Sequence, residues 1–437
     1  SSDEPRIKRL KAAGIQVCVT DHHQMSLDGA PASAACTVNP QQADCEYDKT
    51  VAGCFVIFLV MTQVRSALIQ QGVLPADAPS LKDLSLNVAL GTVADSVSLQ
   101  SPNNRAIVQA GLQVINQFNV PAWQAMKELN DNQGQPFNAE YLGFQVATRI
   151  NAASRVSDVT TAFNFLTSET LEEAQLNLTQ LDEDNLDRRA QQQVMLEEAQ
   201  NIAKAMYHPE KYSLAVPLQG NAGIQGIIAT RIGEQFGLPC VAMTDLKDGN
   251  LAGSGRAIVP DLDLREAFQW MSEQDPELFH SMGGHKGAAG CMIPLDKYEV
   301  FAELFEIAVK NQLGDEPPVP IIETDGELAD DMLIPELIPH LNALEPFGRE
   351  WPQPLFSGNF ELIQIREVGQ TKTHLSCKLR TIGGKTIQAI YFNAKQSADE
   401  PTRFQVGSWV HGIYQPSLNH FGGRTSVQLR LQWLQTA

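Results

Sequence analysis

The chain has 437 residues, enough for about three domains at ~150 residues each. It is 43% hydrophobic and 19% charged, so it can bury large cores. Its net charge of −19 argues against a non-specific nucleic-acid binder, though not against a local basic groove. No apolar run approaches the ~20 residues of a membrane helix. Residues 51–60, VAGCFVIFLV, come nearest and read as a core helix, so no membrane partner is expected. Cysteines stand at 18, 36, 45, 54, 240, 291 and 377, an odd count with no CxxC pair. That usage suits reduced, mostly structural thiols and a cytoplasmic location, and no secretory leader is read at the start.

The chain begins Ser1-Ser2-Asp3 with no Met, and Arg6-Ile7-Lys8-Arg9-Leu10-Lys11 forms a basic amphipathic stretch. It leads straight into Val17-Cys18-Val19, which reads as a short buried strand ending in Asp21-His22-His23. This looks like the middle of a βαβ unit. Residues 1–160 alternate short apolar runs with helical patterns, as in a mostly parallel α/β sheet. Residues 50–72 and 104–118 read as helices. Leu86–Leu90 reads as a buried segment, and Gly91-Thr92-Val93-Ala94-Asp95 as the polar turn that ends it. Residues 168–206 carry the longest helical pattern, with Ser168 and Glu172 as its start signal. It reads as a connecting helix between two domains.

Residues 210–312 form a second α/β unit, with strands at Tyr212–Val216 and Leu238–Met243 and helices at Gly223–Phe236 and Asp263–Met271. Prolines 317, 318, 320, 335 and 339 mark a linker with a little local structure of its own. From about 353 the period becomes two. FELIQIREV, THLSCKLR, KTIQAIYF, SWVHGIYQP and TSVQLRLQW are five alternating strands, the number of a small closed barrel.

Five constellations carry chemistry. Asp21, His22 and His23 with Asp95 combine carboxylate and imidazole, which suit Mn2+ or Mg2+. Core histidines and a helix-capping Asp account for the same residues equally simply. Arg149 and Arg155 bracket Asn151 in RINAASR; guanidinium forks match phosphate, and a solvated turn is the alternative. Gly253-Ser254-Gly255-Arg256 lets a backbone approach an anion, or is an ordinary loop. Gly283-Gly284-His285, followed by Lys286-Gly287-Ala288-Ala289-Gly290, exposes an imidazole among residues small enough to pack on a phosphate backbone. Last, Arg366, Lys372, Lys378, Arg380, Lys385 and Lys395 face only Glu367, with Tyr391, Phe392, Phe404, Trp409 and Tyr414 nearby. Basic groups and rings suit a single strand, phosphates on the cations and bases on the rings. Aromatics that fill the barrel and a solvated charged face are the alternative.

DHH, then GTVAD about seventy residues later, then RxNAA(S)R, GSGR and GGHxxAAG stand in one order. In this the chain resembles the RecJ-type single-strand exonucleases of the DHH phosphoesterase superfamily over nearly its whole length. EPFGREWPQPLF, just before the barrel, also resembles that family's approach to its OB-fold. The resemblance implies an α/β fold in five parts. These are an N-terminally incomplete DHH parallel-sheet domain (1–165), a connecting helix (166–208), a DHH-associated α/β domain (209–312), a linker (313–348) and an OB-fold strand-binding barrel (349–437).

It further implies a metal-dependent 5′→3′ exonuclease on single-stranded DNA, in repair and recombination, with two Mn2+ or Mg2+ ions. Asp21, Asp95 and His23 would be metal ligands, His23 alternatively positioning the attacked phosphate, and His22 would complete the coordination. His22, His23 and His285 would be catalytic, His285 facing the metals across the cleft between the α/β lobes. Arg149, Asn151, Arg155, Ser254, Arg256, Gly284 and His285 would hold the strand, with Ser254 and Arg256 in a pocket for its 5′ end. Single-stranded DNA is the expected partner, with a single-strand-binding protein or a helicase as further candidates.

Three departures stand out. Ser154 replaces a family Gly and would be strained at positive φ. Asn221 stands where the family usually has a His. The family also places a DxD-type motif and a further Asp ahead of DHH; nothing precedes Ser1, so about half of the metal site is expected here. A fragment, a two-chain site, or a non-catalytic strand-binding or scaffold homologue would each explain that. A DHH phosphoesterase acting on short oligonucleotides is the remaining reading, and the C-terminal barrel speaks against it.

Overall fold

The computed structural model describes residues 3–25, 29–129, 135–395, 397–421 and 424–436. In chain order these form α1 (Glu4–Ala12), β1 (Cys18–Thr20), β2 (Cys36–Val38), α2 (Gly53–Gln70), α3 (Ser85–Ala94), α4 (Pro102–Ile115), α5 (Pro121–Leu129), α6 (Ala139–Tyr141), α7 (Thr148–Val156), α8 (Val159–Thr167) and α9 (Leu171–Met206). There follow β3 (Leu214–Leu218), α10 (Gln225–Phe236), β4 (Cys240–Asp245), β5 (Asn250–Arg256), α11 (Leu264–Gln274), β6 (Ser281–His285), β7 (Ala288–Pro294) and α12 (Tyr298–Leu313). The last are α13 (Leu337–Asn342), β8 (Phe356–Val368), β9 (His374–Thr381), β10 (Thr386–Tyr391), β11 (Trp409–Phe421) and β12 (Arg424–Thr436). The chain divides into two compact units. One comprises Ser1–Asn119, Asn132–Ala147 and Glu323–Ala437; the other comprises Val120–Asp131 and Thr148–Ile322.

The first unit holds a two-stranded parallel sheet, β1 beside β2, with Cys18 opposite Cys36 and Thr20 opposite Val38. The expected buried strand is displaced by one residue and is half-buried, with Cys18 exposed. Helices carry most of the rest. α3 and α4 pack closely because Gly111 lets them: an added Cβ would lie 2.3 Å from Ala89 Cβ and 2.4 Å from the Ser85 carbonyl oxygen. The Leu86–Leu90 segment is buried as expected, but the helix runs on through Gly91–Ala94 where a polar turn was expected, and Asp95 is its C-terminal cap. The VAGCFVIFLV run extends into an 18-residue helix in which only Phe55 and Val56 are buried, which corrects the core-helix reading. By length and composition alone, α2 could cross a membrane.

The same unit contains the barrel, closed in the order β10-β12-β11-β8-β9. Alternation builds it: Leu375, Cys377 and Leu379 point inward while Ser376, Lys378 and Arg380 do not. A parallel pairing of β10 with β12, Gln388 opposite Gln428 and Tyr391 opposite Leu431, closes the ring. All five expected strands are present. The preceding segment is anchored on α4, where Arg105 donates to the carbonyls of Leu344, Glu345 and Pro346 and stacks 4.8 Å above Trp351.

The second unit is a mixed five-stranded sheet, β3-β4-β5-β7-β6. Only β3 and β4 are parallel, as their crossover through α10 requires. One face packs Val216, Ile228 and Ala242 against Met195 and Ala199 of α9. The other packs Val241 and Ile293 against Phe268, Phe301 and Phe305. α9 starts on a reciprocal capping box, not on Ser168: Glu173 N donates to the Thr170 hydroxyl and Thr170 N donates to the Glu173 carboxylate. Its buried stripe runs through Leu178, Leu181, Asp184, Arg188, Met195, Ala199 and Ala203. GSGR is strand, the end of β5, not a loop.

Candidate metal centre and anion pocket

In the first unit the Asp21-His22-His23 triplet follows β1, and Asp21 N still donates to Val38 O at 3.1 Å. The Asp21 carboxylate folds back on its own chain. Its Oδ1 accepts from His22 N (2.7 Å) and His23 N (3.2 Å) and lies 2.7 Å from His23 Nδ1. Burial pushes this carboxyl up, but the His23 and His22 hydrogen bonds outweigh it and hold the group below the usual Asp range. His22 Nε2 lies 3.4 Å from Asp95 Oδ2. Gly53, opening α2, leaves room for the His22 ring, since a Cβ would stand 3.3 Å from its Cδ2. The two imidazoles are 4.5 Å apart, so two carboxylate–imidazole pairs sit side by side. A cavity of about 530 Å3, lined by Asp21, His23, Arg6 and Asn39 among others, opens beside them.

Carboxylate oxygen and imidazole nitrogen are donors that Mn2+ accepts readily and Mg2+ accepts through oxygen. The donor chemistry of the two pairs therefore fits a divalent cation. Among the described residues, however, no three or more His, Cys, Asp or Glu side chains gather as one metal-binding group. Asp21–His23 and His22–Asp95 are two half-shells, and the expected grouping of Asp21, His23 and Asp95 as one ligand set is not assembled here.

In the second unit, α7, β5 and the start of α10 converge. RINAASR is helix: Ser154 adopts no positive φ, and its Oγ donates to Asn151 O at 3.0 Å, so the Gly-to-Ser departure is unstrained. Arg149 is held by Asp182 of α9 at 2.8 Å, and Asn151 is exposed. Arg155 donates to the Gly223 carbonyl in the turn before α10. Asn221 builds that turn, its Oδ1 accepting from Gly223 N (2.8 Å) and its Nδ2 donating to Arg155 O (3.2 Å) and Gln191 Oε1 (3.0 Å). An amide serves there because the job is to bridge three elements.

Arg256, at the end of β5, donates to Ser254 Oγ (3.1 Å) and Gly255 O (2.8 Å). Gly226, in the first turn of α10, admits it: a Cβ there would lie 2.6 Å from Arg256 Nη2 and 3.0 Å from Ser254 Oγ. Burial first, and the Arg155 charge second, lower the Arg256 guanidinium below its usual value. A helix N-terminus, a hydroxyl and two guanidiniums lie at one place, a donor set whose chemistry suits an anion. Sequence reasoning missed Arg188 of α9, a buried guanidinium on the same side. The signal available was a cation on the apolar stripe of a long helix.

His285 ends the exposed strand β6, and its Nδ1 accepts from Gly287 N at 3.2 Å. Gly284 is required at φ 147°, since a Cβ would meet Ala288 O at 2.4 Å, whereas one at Gly283 would meet nothing within 4 Å. On the barrel, Arg366 and Arg380 are exposed, but Arg380 pairs with Glu361 and Lys395 is buried against Glu367. Tyr414 fills the core; Phe392 and Trp409 are exposed. Arg430, also missed, lies 5.8 Å over the Phe392 ring.

Residues 210–311 match the DHHA1 domain and residues 324–432 the RecJ OB domain. The chain is 32% identical to the single-stranded-DNA-specific exonuclease RecJ of Escherichia coli, over 98% of this chain and 74% of that protein. It is 29% identical to Bacillus subtilis RecJ, over 97% of this chain and 51% of that protein. Crystalline RecJ of Thermus thermophilus with Mn2+ superposes with a TM-score of 0.78 at 26% identity, covering 99% of this chain and 60% of that one. The same protein with Mg2+ gives 0.74. The fold is thus that of a DHHA1-bearing protein with a C-terminal OB barrel. The chain belongs to the RecJ family of single-stranded-DNA-specific exonucleases, and Mn2+ and Mg2+ are the cations seen in its solved relatives.

Proposed function

We propose that the chain acts in metal-dependent 5′→3′ hydrolysis of single-stranded DNA, in DNA repair and recombination. The observation that carries this is the pair of carboxylate–imidazole half-shells at the carboxyl end of β1, where α/β sheets place ligands. Asp21, His23, His22 and Asp95 would hold Mn2+ or Mg2+, which supplies Lewis acidity and a lowered water pKa when bound. Asp21 orients both histidine backbones and the His23 ring; Asp95 orients the His22 ring. Ser254, Arg256 and Arg155 take the 5′ phosphate, and Arg149 and Asn151 line the approach on α7. His285, on a backbone that only Gly284 allows, donates to a phosphate oxygen. Arg366, Arg430, Phe392 and Trp409 bind the strand on the barrel. A single-strand-binding protein or a helicase is the partner that would deliver such a strand. Seven free cysteines support a cytoplasmic setting.

The lack of a gathered ligand set among the described residues favours a second reading, strand binding without cutting. Digestion of 5′-phosphorylated single-stranded DNA with Mn2+ separates the two. It should be run on this chain, on a chain extended to the length of its relatives, and on Asp95→Ala in each. Cutting that vanishes in Asp95→Ala, with strand binding retained, supports hydrolysis. Strand binding with no cutting by either length supports the second reading.

A further inference from the structure

We propose that Arg188 is a positioning residue for the anion pocket, a buried cation whose counter-charge is the strand's terminal phosphate. The inference rests on the reading of Arg155, Ser254 and Arg256 as the pocket for the 5′ end. The chain has 51 acidic residues against 32 basic ones, so carboxylates are plentiful. Arg149 and Arg231 each have one, Asp182 and Glu234. Arg155, Arg188 and Arg256 have no carboxylate within ion-pair distance among the described residues. Arg188 is only 8% exposed. Among the described residues its guanidinium is held only by neutral amides, Asn185 Oδ1 at 3.1 Å and Gln192 Oε1 at 2.6 Å.

Its place on α9 explains the arrangement. Asp184, four residues before it, accepts from Ser157 just after α7, and Gln191, three after it, accepts from Asn221 in the turn before α10. Arg188 therefore lies on the face of α9 that supports Arg155 and that turn. Burial and the charges of Arg189 and Arg155 lower its guanidinium below the usual value. Removing the counter-ion from a buried charge is costly, and evolution of a fold rich in acids would readily supply one. An anion beside Arg155 relieves both cations at once. Arg188 thereby favours a doubly charged terminal phosphate over a 5′ hydroxyl.

The test is binding of 5′-phosphorylated and 5′-hydroxyl oligothymidylate to this chain, without metal, together with melting curves with and without inorganic phosphate. Arg188→Met should weaken the phosphorylated strand about tenfold, the scale of one partly screened charge. It should leave the 5′-hydroxyl strand unchanged, melt no lower than the wild type when unliganded, and lose the stabilisation by phosphate. Arg188→Lys should restore most of the discrimination. Wild-type discrimination in Arg188→Met overturns the inference, as does failure of both variants to fold, which would make Arg188 structural. Arg256→Ala checks the underlying reading separately. If it keeps full discrimination the pocket itself is misassigned; if it loses discrimination while Arg188→Met does not, only the role of Arg188 falls.

Discussion

Gly226→Ala tests the anion pocket with one methyl group. The new Cβ would lie 2.6 Å from Arg256 Nη2 and 3.3 Å from its Cζ, against 3.4 Å or more for an ordinary contact. The guanidinium must retreat by about 0.8 Å, because the helix backbone cannot. It is the far end of a flexible side chain, so the shift costs the fold little. Alanine in place of glycine in a helix returns up to about 1 kcal/mol. Stability should therefore change little, while the donor geometry toward a bound phosphate is lost. One charge-assisted hydrogen bond is worth about 1.5–3 kcal/mol, roughly a ten- to hundredfold loss of affinity. Fluorescence anisotropy with 5′-phosphorylated single-stranded DNA, paired with a thermal melt, reads both quantities. Wild-type affinity in a folded Gly226→Ala protein would refute the pocket. So would an equal loss for 5′-hydroxyl DNA with a lowered melting temperature, since that is general damage.

Gly111→Ala should lower the melting temperature by the equivalent of about 1–3 kcal/mol, because both atoms it strikes, Ala89 Cβ and Ser85 O, are fixed in α3; Ala89→Gly in the same chain should recover part of it by calorimetry. Asp48 accepts from Ser101, Thr50 and Asn103, and these bonds outweigh burial to hold its carboxyl below the usual range. A depressed carboxylate stabilises above its unfolded pKa of ~3.9 and loses that as pH falls through the lower folded value. Asp48→Asn should thus cost about 1 kcal/mol at pH 7, kept small by solvent, and the difference should fade in melts below pH ~4. On the barrel, Arg430→Ala should flatten the salt dependence of strand binding by about 0.7 in log–log slope; an unchanged slope would remove Arg430 from the strand path.

Period and motif order by themselves made much of this protein legible. Alternation over five short segments required two-faced strands, and too few residues separate them for anything but a small barrel; all five strands formed. The 36-residue α9 was likewise visible, because an apolar stripe at helical spacing has no other use. The motifs carried Asp21, His22, His23 and Asp95 as chemistry, and the fold does bring His22 to Asp95 across seventy residues.

What only the tertiary structure decided is how side chains are spent. Arg149 and Lys395 look like phosphate binders in sequence yet face Asp182 and Glu367. GSGR looks like a loop but is held extended by β4 and β7 on either side. Ser154 looks strained but lies in a helix. Arg188 looks like one more cation on a helix and proves buried with no carboxylate partner among the described residues. The reason is physical. Local pattern sets backbone conformation, because it acts through neighbours in the chain. Whether a charge is paired, buried or left for a ligand depends on groups brought close only by folding.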